Sequence, residues 1–214
     1  AYVTLVWSDE YVAGVVVLAR SLSAVGSRQP LVVLVGYQDD GVSPMLSADA
    51  MATLEAMPTV EIVGCTALAD TEPASRMPRL GVGLWMKLRV WQLTQYRCVT
   101  FLDADSMVLR NIDHLFLLCD EGGVAALTFD GRPLLDGARR PSKWTNFVFA
   151  SVPTTASEYR NAHTITGFFV TKPSAAVFDT LLARLHANPR YCYGESAFVD
   201  AAFAEVKVVL PHAY

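Results

Sequence analysis

Residues 97–105 read Arg-Cys-Val-Thr-Phe-Leu-Asp-Ala-Asp, and they form the most informative stretch of the chain. The first six are largely apolar or β-branched, which is typical of a buried strand. Two carboxylates follow at once, on Asp103 and Asp105. Ligands of open α/β sheets bind at the carboxyl ends of the strands. The stretch therefore predicts an α/β fold with an acidic ligand site at one edge of the sheet.

Alternating strand and helix patterns extend from this stretch in both directions. We predict strands at residues 2–7, 31–35, 60–63, 97–102, 124–127, 166–171 and 206–210, and helices at 9–25, 43–57, 84–95, 173–187 and 195–204. Residues 128–161 have the pattern of a long loop. Strand–helix–strand order implies right-handed crossovers, so we expect a mostly parallel sheet flanked by helices.

Composition limits the classes of function. The chain has 214 residues, 52% of them hydrophobic, and its 17 Lys and Arg against 21 Asp and Glu give a net charge of −4. Because neither sign forms a run, a broad nucleic-acid surface is not expected. The longest apolar run, residues 12–19, is far shorter than the roughly 20 residues that cross a bilayer. No transmembrane segment is predicted.

The four cysteines, Cys65, Cys98, Cys119 and Cys192, are widely spaced and form no Cys-x-x-Cys pair. This spacing argues against a zinc site and against a disulfide scaffold. We interpret them as buried thiols of a protein in a reducing compartment.

Asp103 and Asp105 are the candidate metal ligands. They lie two residues apart in an extended segment, so both carboxylates can face the same way. Paired carboxylate oxygens suit Mg²⁺ or Mn²⁺ that also binds phosphate oxygens. The alternative is a solvated turn after a strand, since a short motif of this kind also occurs by chance.

A group of cations precedes the acidic strand. Lys87 and Arg89 follow Arg76 and Arg79 closely, and together they could meet a diphosphate. The alternative is an ordinary helix face on which Lys and Arg point into solvent.

Glu195 follows Gly194 where a late helix is predicted to begin. An acidic residue there is also the ordinary way to cap a helix. The four histidines are scattered singly, and His163, just before a predicted strand, is the one that we retain as a candidate.

A series of motifs in one order resembles the glycogenin-like branch of glycosyltransferase family 8 over nearly the whole chain. The matching segments are Tyr2-Val-Thr-Leu, Ser8-Asp-Glu-Tyr11, Leu31-Val-Val-Leu34, Leu80-Gly-Val82, Lys87-Leu88, Leu93-Thr-Gln-Tyr96, Asp103-Ala-Asp105, Asn111-Ile-Asp113, Gly167-Phe-Phe-Val170, Pro173-Ser174 and Pro211-His-Ala-Tyr214. The resemblance implies a GT-A fold, which is a Rossmann-like nucleotide-sugar domain. It also implies a metal-dependent, retaining transferase that uses a UDP-hexose.

The resemblance assigns roles by position. Asp103 and Asp105 look like the metal ligands, and Ala104 is the small residue that lets the ribose approach the backbone. The remaining residues implied to bind the nucleotide sugar are Leu5, Trp7, Ser8, Tyr11, Arg79, Val82, Lys87, Thr166, Gly167 and Ser196. Arg76 is the alternative to Arg79 as the arginine on the phosphate side. Lys87 and Glu195 are the residues implied to be catalytic.

Several positions depart from the family pattern. Trp7 and Ser8 replace the usual Thr and Asn beside the uridine, so base recognition is expected to differ. The family's D-G-G-D-Q is here Cys-Tyr-Gly-Glu-Ser at residues 192–196, which puts Glu195 in place of the second Asp. The chain stops before the family's H-x-x-G-x-K-P-W segment. We therefore expect residues 1–214 to form a single GT-A domain that lacks its C-terminal end.

We predict a hexosyltransferase whose acceptor is a protein, a lipid or a polyol, with Mn²⁺ or Mg²⁺ as cofactor. A catalytically impaired nucleotide-sugar-binding relative is the alternative. A dehalogenase-like phosphatase is a weaker one, because its acidic motif would follow the first strand. Homodimerisation remains open. For location, the cytoplasm is favoured over a Golgi lumen reached through an upstream anchor.

Overall fold

A seven-stranded sheet forms the centre of the molecule. The computed structural model describes residues 1–68, 81–120, 128–129, 132–133, 149–153, 164–187, 194–204 and 207–210. The strands are β1 Tyr2–Val6, β2 Leu31–Tyr37, β3 Val60–Thr66, β4 Val99–Leu102, β5 Thr128–Phe129, β6 Arg132–Pro133, β7 Phe149–Pro153, β8 Thr164–Thr171 and β9 Lys207–Val209. The strands of the seven-stranded sheet lie in the order β3-β2-β1-β4-β8-β7-β9, and strands β5 and β6 form a separate pair.

Five α-helices and three 3-10 helices lie within these residues. The α-helices are α1 Val12–Ala24, α2 Ala48–Glu55, α3 Gly81–Met86, α4 Ala175–Ala187 and α5 Gly194–Ala202. The 3-10 helices are Asp9–Tyr11, Lys87–Gln92 and Asp113–Cys119. In this part of the chain no helix has the length and apolar character that a membrane crossing requires.

The sheet is mostly parallel, as the sequence predicts. Strands β3, β2, β1 and β4 are parallel to one another, and β9 is parallel to β7. Strand β8 runs antiparallel to both β4 and β7. Its first residues therefore lie at the edge where β1 and β4 end, which brings a distant segment of sequence to the predicted ligand edge.

Alternating side chains of the central strands fill two cores, one on each face of the sheet. In β1, Tyr2 and Val6 enter the first core, whereas Val3 and Leu5 enter the second. Helices α1 and α2 cover the first face. The 3-10 helix Lys87–Gln92 and helices α4 and α5 cover the second. Burial on both faces explains why these strands are continuously apolar.

Two helices differ from their predicted limits. The second helix begins at Ala48 rather than at Pro44, because Ser47 is its N-cap and accepts a hydrogen bond from the Ala50 N–H. Pro44 instead pairs with Tyr37 in an isolated bridge. The predicted helix at 84–95 is the short helix α3 followed by a 3-10 segment. The predicted strand at 124–127 lies outside the described residues. The prediction of a loop over 128–161 is wrong for residues 149–153, which form β7 between β8 and β9.

The interpretation of all four cysteines as separate thiols is wrong for Cys98 and Cys119. These two form a disulfide, with their Cα atoms 5.7 Å apart. Cys98 immediately precedes β4, and Cys119 ends a 3-10 helix that folds back beside it. Sequence spacing alone could not show this proximity. Since disulfides persist in oxidising compartments, these two residues give no support to a reducing one. Cys65 is a buried free thiol, and Cys192 lies outside the described residues.

Candidate functional site

The candidate site lies at the carboxyl edge of the sheet, between β1 and β4. Strand β1 connects through α1 to β2 on one side, whereas β4 is its neighbour on the other. Such a reversal of strand order opens a crevice for ligands. The chain leaves β4 at Asp103, whose N–H donates to the Gly167 carbonyl of β8 at 2.9 Å. This bond fixes the acidic turn against β8.

Two glycines set the position of the acidic turn. A Cβ on Gly14 of α1 would lie 2.4 Å from the Ala104 carbonyl oxygen, a distance that no real side chain tolerates. Helix α1 therefore approaches the turn closely enough to support Ala104 and Asp105. A Cβ on Gly167 would meet Asp103 Oδ2 at 2.9 Å. The absence of a side chain there leaves room for the carboxylate.

Lys87 is buried at the centre of the site, and only 4% of it is exposed. Its Nζ lies 3.0 Å from Asp103 Oδ1 and 3.0 Å from Glu195 Oε1. It also donates to the Thr166 carbonyl at 3.2 Å. The Phe101 ring lies beneath it, with the centroid 5.0 Å from Nζ. These contacts exclude the alternative in which Lys87 belongs to a solvent-exposed helix face.

Glu195 is held by three donors that all reach the same oxygen. Lys87 Nζ, Thr166 Oγ1 and Ser196 Oγ each donate to Oε1. Thr166 Oγ1 and Ser196 Oγ lie 2.6 Å apart, so the two hydroxyls also contact each other. Among the described residues none donates to Oε2. The arrangement orients one carboxylate oxygen and leaves the other available for a ligand.

The pKa values of Lys87, Glu195 and Asp103 are set by burial and by the charges that these three groups exert on one another. Burial lowers the pKa of Lys87, but Glu195 and Asp103 outweigh it and hold the pKa above its usual value. Burial raises the pKa of Glu195, but Lys87 and the Thr166 hydroxyl bring it below the usual value. For Asp103, burial raises the pKa more than Lys87 lowers it. The ionised form is thus better stabilised for Glu195 than for Asp103.

The acidic residues fit a divalent cation in charge and in donor type. Lys87, Asp103, Glu195 and Asp105 together carry one positive and three negative charges. Asp105 is exposed, and in the described part of the chain its carboxylate makes no hydrogen bond or ion pair. No three His, Cys, Asp or Glu side chains of the described residues group into a metal cluster. An ion bound by Asp103 and Asp105 would complete its shell with phosphate or water oxygens.

An aromatic pair marks the crevice where β1 ends. The rings of Trp7 and Tyr11 have centroids 5.6 Å apart, and both residues are partly exposed. A Cβ on Gly83 would lie 2.1 Å from the Trp7 ring, so α3 packs directly on the indole. Ser8 donates to Glu10 at 3.1 Å. These residues place aromatic surface beside the site, which suits stacking with a base.

The structure does not bring every predicted residue to this crevice. Leu5 is buried in the second core. Helix α3 carries Val82 in its first turn, but the Val82 side chain, Arg76, Arg79 and His163 lie outside the described residues.

Arg89 has a separate role from Lys87. Its guanidinium donates to the Thr66 and Ala67 carbonyls and to the Gln92 side chain, which ties the end of β3 to the 3-10 helix. It borders a cleft of about 640 Å³ beside β2 and β3. The expectation that Arg89 meets a diphosphate therefore has no support in these contacts.

Phe101 is the site residue that the sequence reasoning missed. It lies two residues before Asp103 in the same strand, so the two side chains share a face of the sheet. The alternation of side chains along a strand could therefore have identified Phe101 from the sequence.

Comparison with known proteins finds several relatives by sequence. Galactinol synthase 1 of Solanum lycopersicum is 30% identical over 227 residues, which cover 100% of this chain and 63% of that protein. Inositol phosphorylceramide glucuronosyltransferase 1 of Arabidopsis thaliana is 27% identical over 96% of this chain and 30% of that protein. Human glycogenin-1 is 39% identical over 54% of this chain and 32% of that protein. The chain thus spans less than two thirds of each of these relatives. No family model matches it.

Solved structures share the fold at low sequence identity. An active-site mutant of LgtC has a TM-score of 0.63 at 11% identity and covers 94% of this chain and 69% of that one. The glycosyltransferase GlyE of Streptococcus pneumoniae has a TM-score of 0.60 at 10% identity, over 99% of this chain and 45% of that one. These proteins have the GT-A fold, and the prediction of that fold is confirmed. The sequence relatives support the assignment of the chain to glycosyltransferase family 8, in its glycogenin-like branch, and the shared fold agrees with it.

Proposed function

We propose that this protein is a retaining, metal-dependent hexosyltransferase that moves a sugar from a UDP-sugar to a protein, lipid or polyol acceptor. The observation that carries the proposal is the buried Lys87, held between Asp103 and Glu195 at the crevice between β1 and β4. A buried cation flanked by carboxylates is uncommon outside functional sites.

Asp103 and Asp105 would hold Mn²⁺ or Mg²⁺, which neutralises the charge of a diphosphate leaving group. Asp105 offers a carboxylate without a partner among the described residues, and Gly14 fixes the turn that carries it. Lys87 adds a positive charge close to the same point. Such a fixed charge stabilises the negative charge that grows as the sugar–phosphate bond breaks.

Retention of configuration requires that the acceptor oxygen reach the same face of the sugar that the phosphate leaves. We favour front-face delivery, in which the acceptor hydroxyl forms the new bond as the sugar–phosphate bond breaks and passes its proton to the departing phosphate. The free Oε2 of Glu195 then binds a sugar hydroxyl and orients the ring. The alternative uses Glu195 as a nucleophile that forms a covalent glycosyl intermediate.

Trp7 and Tyr11 would bind the nucleotide base by stacking, with Ser8 near the ribose. Because Trp7 replaces a smaller polar residue of the family, we propose that base recognition depends more on stacking than on hydrogen bonds.

A panel of UDP-sugars with Mn²⁺ tests the proposal, with UDP release and product mass as readouts. We expect turnover with one of them, lost on chelation. Asp103→Asn and Asp105→Asn should each lower turnover at least tenfold, about 1.4 kcal/mol in transition-state terms. Unchanged Mn²⁺ dependence in both variants would remove the metal assignment. UDP binding without turnover would favour the catalytically impaired relative.

A further inference from the structure

The ammonium of Lys87 has no hydrogen-bond donor left for a substrate. A lysine ammonium carries three N–H donors and no acceptor. Four acceptor atoms of three residues surround Nζ: Asp103 Oδ1 at 3.0 Å, Glu195 Oε1 at 3.0 Å, the Thr166 carbonyl oxygen at 3.2 Å and the Thr166 hydroxyl oxygen at 3.5 Å. Lys87 must therefore release one of these partners before it can donate to a phosphate or a sugar.

The three partners differ in how readily they can be released. The Glu195 side chain is 8% exposed, whereas that of Asp103 is 42% exposed. Without Lys87, a buried carboxylate such as Glu195 would lose its counter-charge, which is costly. The Thr166 carbonyl is a buried backbone group that would also lose a donor. Asp103 reaches solvent, and it is the carboxylate that a metal ion could neutralise in place of Lys87.

We propose that Lys87 exchanges Asp103 for a phosphate oxygen of the donor when a divalent ion binds Asp103, and that it thereby couples metal binding to donor binding. The inference rests on the proposed function. Glu195 and Thr166 keep Lys87 in the site during the exchange. In the ligand-free protein Lys87 serves as the internal counter-ion of Asp103.

The exchange makes each ligand bind weakly alone. A metal ion without donor has to compete with Lys87 for Asp103. A donor without metal has to draw Lys87 away from Asp103, which leaves that carboxylate and Asp105 uncompensated beside the diphosphate. When both are present, every charge has a partner. Such coupling is reciprocal, so each ligand must tighten the other by the same factor.

Calorimetric titration of Mn²⁺ into the full chain tests this exchange, with and without saturating UDP. Lys87→Met keeps the length of the side chain and removes its charge. We expect this variant to bind Mn²⁺ alone at least about fivefold more tightly than the unmodified chain, at the low end of usual coupling factors. The factor by which UDP tightens Mn²⁺ binding should fall by the same amount, because no ammonium competes for Asp103.

Lys172→Met is the matched control. It makes the same change in net charge, but Lys172 follows the last residue of β8 whereas Thr166 lies near the first. In this control, we expect the Mn²⁺ affinity without UDP and the factor by which UDP tightens Mn²⁺ binding to stay within about twofold of the unmodified chain. Charges beyond a Debye length are largely screened. If circular dichroism shows that Lys87→Met does not fold, Lys87→Gln takes its place with the same expectation.

The outcomes separate the two proposals. Equal Mn²⁺ affinity in Lys87→Met and the unmodified chain would overturn the exchange and leave the metal-dependent function standing. Absence of saturable Mn²⁺ binding in every form would overturn both. Tighter Mn²⁺ binding in Lys87→Met with an undiminished UDP effect would also overturn the exchange, because Lys87 would then weaken metal binding without linking it to the donor.

Discussion

Lys87 is buried between two carboxylates, whereas most lysines extend into solvent. Its carboxylate partner Glu195 lies 108 residues further along the chain, so no local pattern could reveal the contact. Helical spacing alone favours an exposed lysine and a buried lysine about equally. The tertiary contacts decide between them, and they make Glu195 a residue whose charge and position both matter.

Glu195→Gln should lower sugar transfer at least tenfold, about 1.4 kcal/mol of transition-state stabilisation. The amide keeps the size of the side chain. It removes the negative charge that faces Lys87, and it removes the carboxylate oxygen that is free to accept a hydrogen bond. Initial rates with the best UDP-sugar measure the effect, and circular dichroism checks the fold. Glu55→Gln, at the exposed end of α2, is the control and should transfer normally. A fully active Glu195→Gln would exclude any role of this carboxylate in transfer.

Helix α1 acts at the scale of an element, because its packing sets the position of the acidic turn. The approach of Gly14 to the Ala104 carbonyl leaves no room for a side chain. Ser21 extends the contact further along the helix, since its Oγ accepts from the Val108 N–H at 3.0 Å. The helix thus holds both ends of the segment that contains Asp105.

Gly14→Ala should destabilise the protein by about 1–3 kcal/mol, the usual cost of overpacking. It should also weaken Mn²⁺ binding, because the new methyl group displaces the turn that carries Asp105. Urea denaturation and Mn²⁺ titration measure the two effects. Ser23→Ala, on the exposed side of the same helix, should leave both unchanged. A variant with normal stability and Mn²⁺ affinity would show that the turn does not depend on this contact.

Asp113 joins three elements at the opposite edge of the sheet. Its carboxylate accepts from the Tyr2 hydroxyl at 2.7 Å, the Ser27 hydroxyl at 2.8 Å and the Arg28 N–H at 2.9 Å. Burial raises the pKa of Asp113, but these hydrogen bonds outweigh it and hold the pKa below its usual value. The ionised form is therefore favoured in the folded state.

Asp113→Asn should cost about 1 kcal/mol at neutral pH, allowing for the partial exposure of the group. A pKa that is lower in the folded state adds stability above the unfolded pKa, near 4, and this gain is lost as pH falls through the folded value. The difference between the two forms should thus shrink below about pH 4. Urea titrations at several pH values check this, with Asp179→Ala on α4 as an exposed control. A difference that stays constant with pH would contradict the assignment.

At the scale of the whole molecule, the Cys98–Cys119 disulfide closes a loop that contains β4 and the acidic turn. The bonded residues are 21 positions apart. A cross-link of this span restricts the unfolded chain and is worth about 3 kcal/mol in the chain-entropy model. It therefore supports the segment that bears the candidate metal ligands.

Reduction should lower the unfolding free energy by about 3 kcal/mol. Urea denaturation with and without a phosphine reductant measures this change, and non-reducing peptide mapping identifies the linked peptides. The Cys98→Ala/Cys119→Ala double variant should lose the dependence on reductant, which serves as the control. An equal response of the double variant and the unmodified chain would show that the stability comes from elsewhere.

Sequence by itself determined the fold class, most strand and helix positions, and the acidic motif at the end of β4. These are local properties, because apolar period, cap residues and a strand-terminal motif are all contained in short windows. It failed locally where two signals compete, as in the predicted helix at 43–57: Ser43-Pro44 has the pattern of a cap and a first helical residue, but Ser47 is the observed N-cap.

Only the tertiary structure decided the contacts of the site. The antiparallel course of β8 brings Gly167 to Asp103, helix α5 brings Glu195 to Lys87, and a 3-10 helix returns Cys119 to Cys98. Each depends on packing between segments that are distant in the chain. The same packing removes Lys87 from solvent, and burial gives its ion pairs with Glu195 and Asp103 more strength than an exposed pair would have.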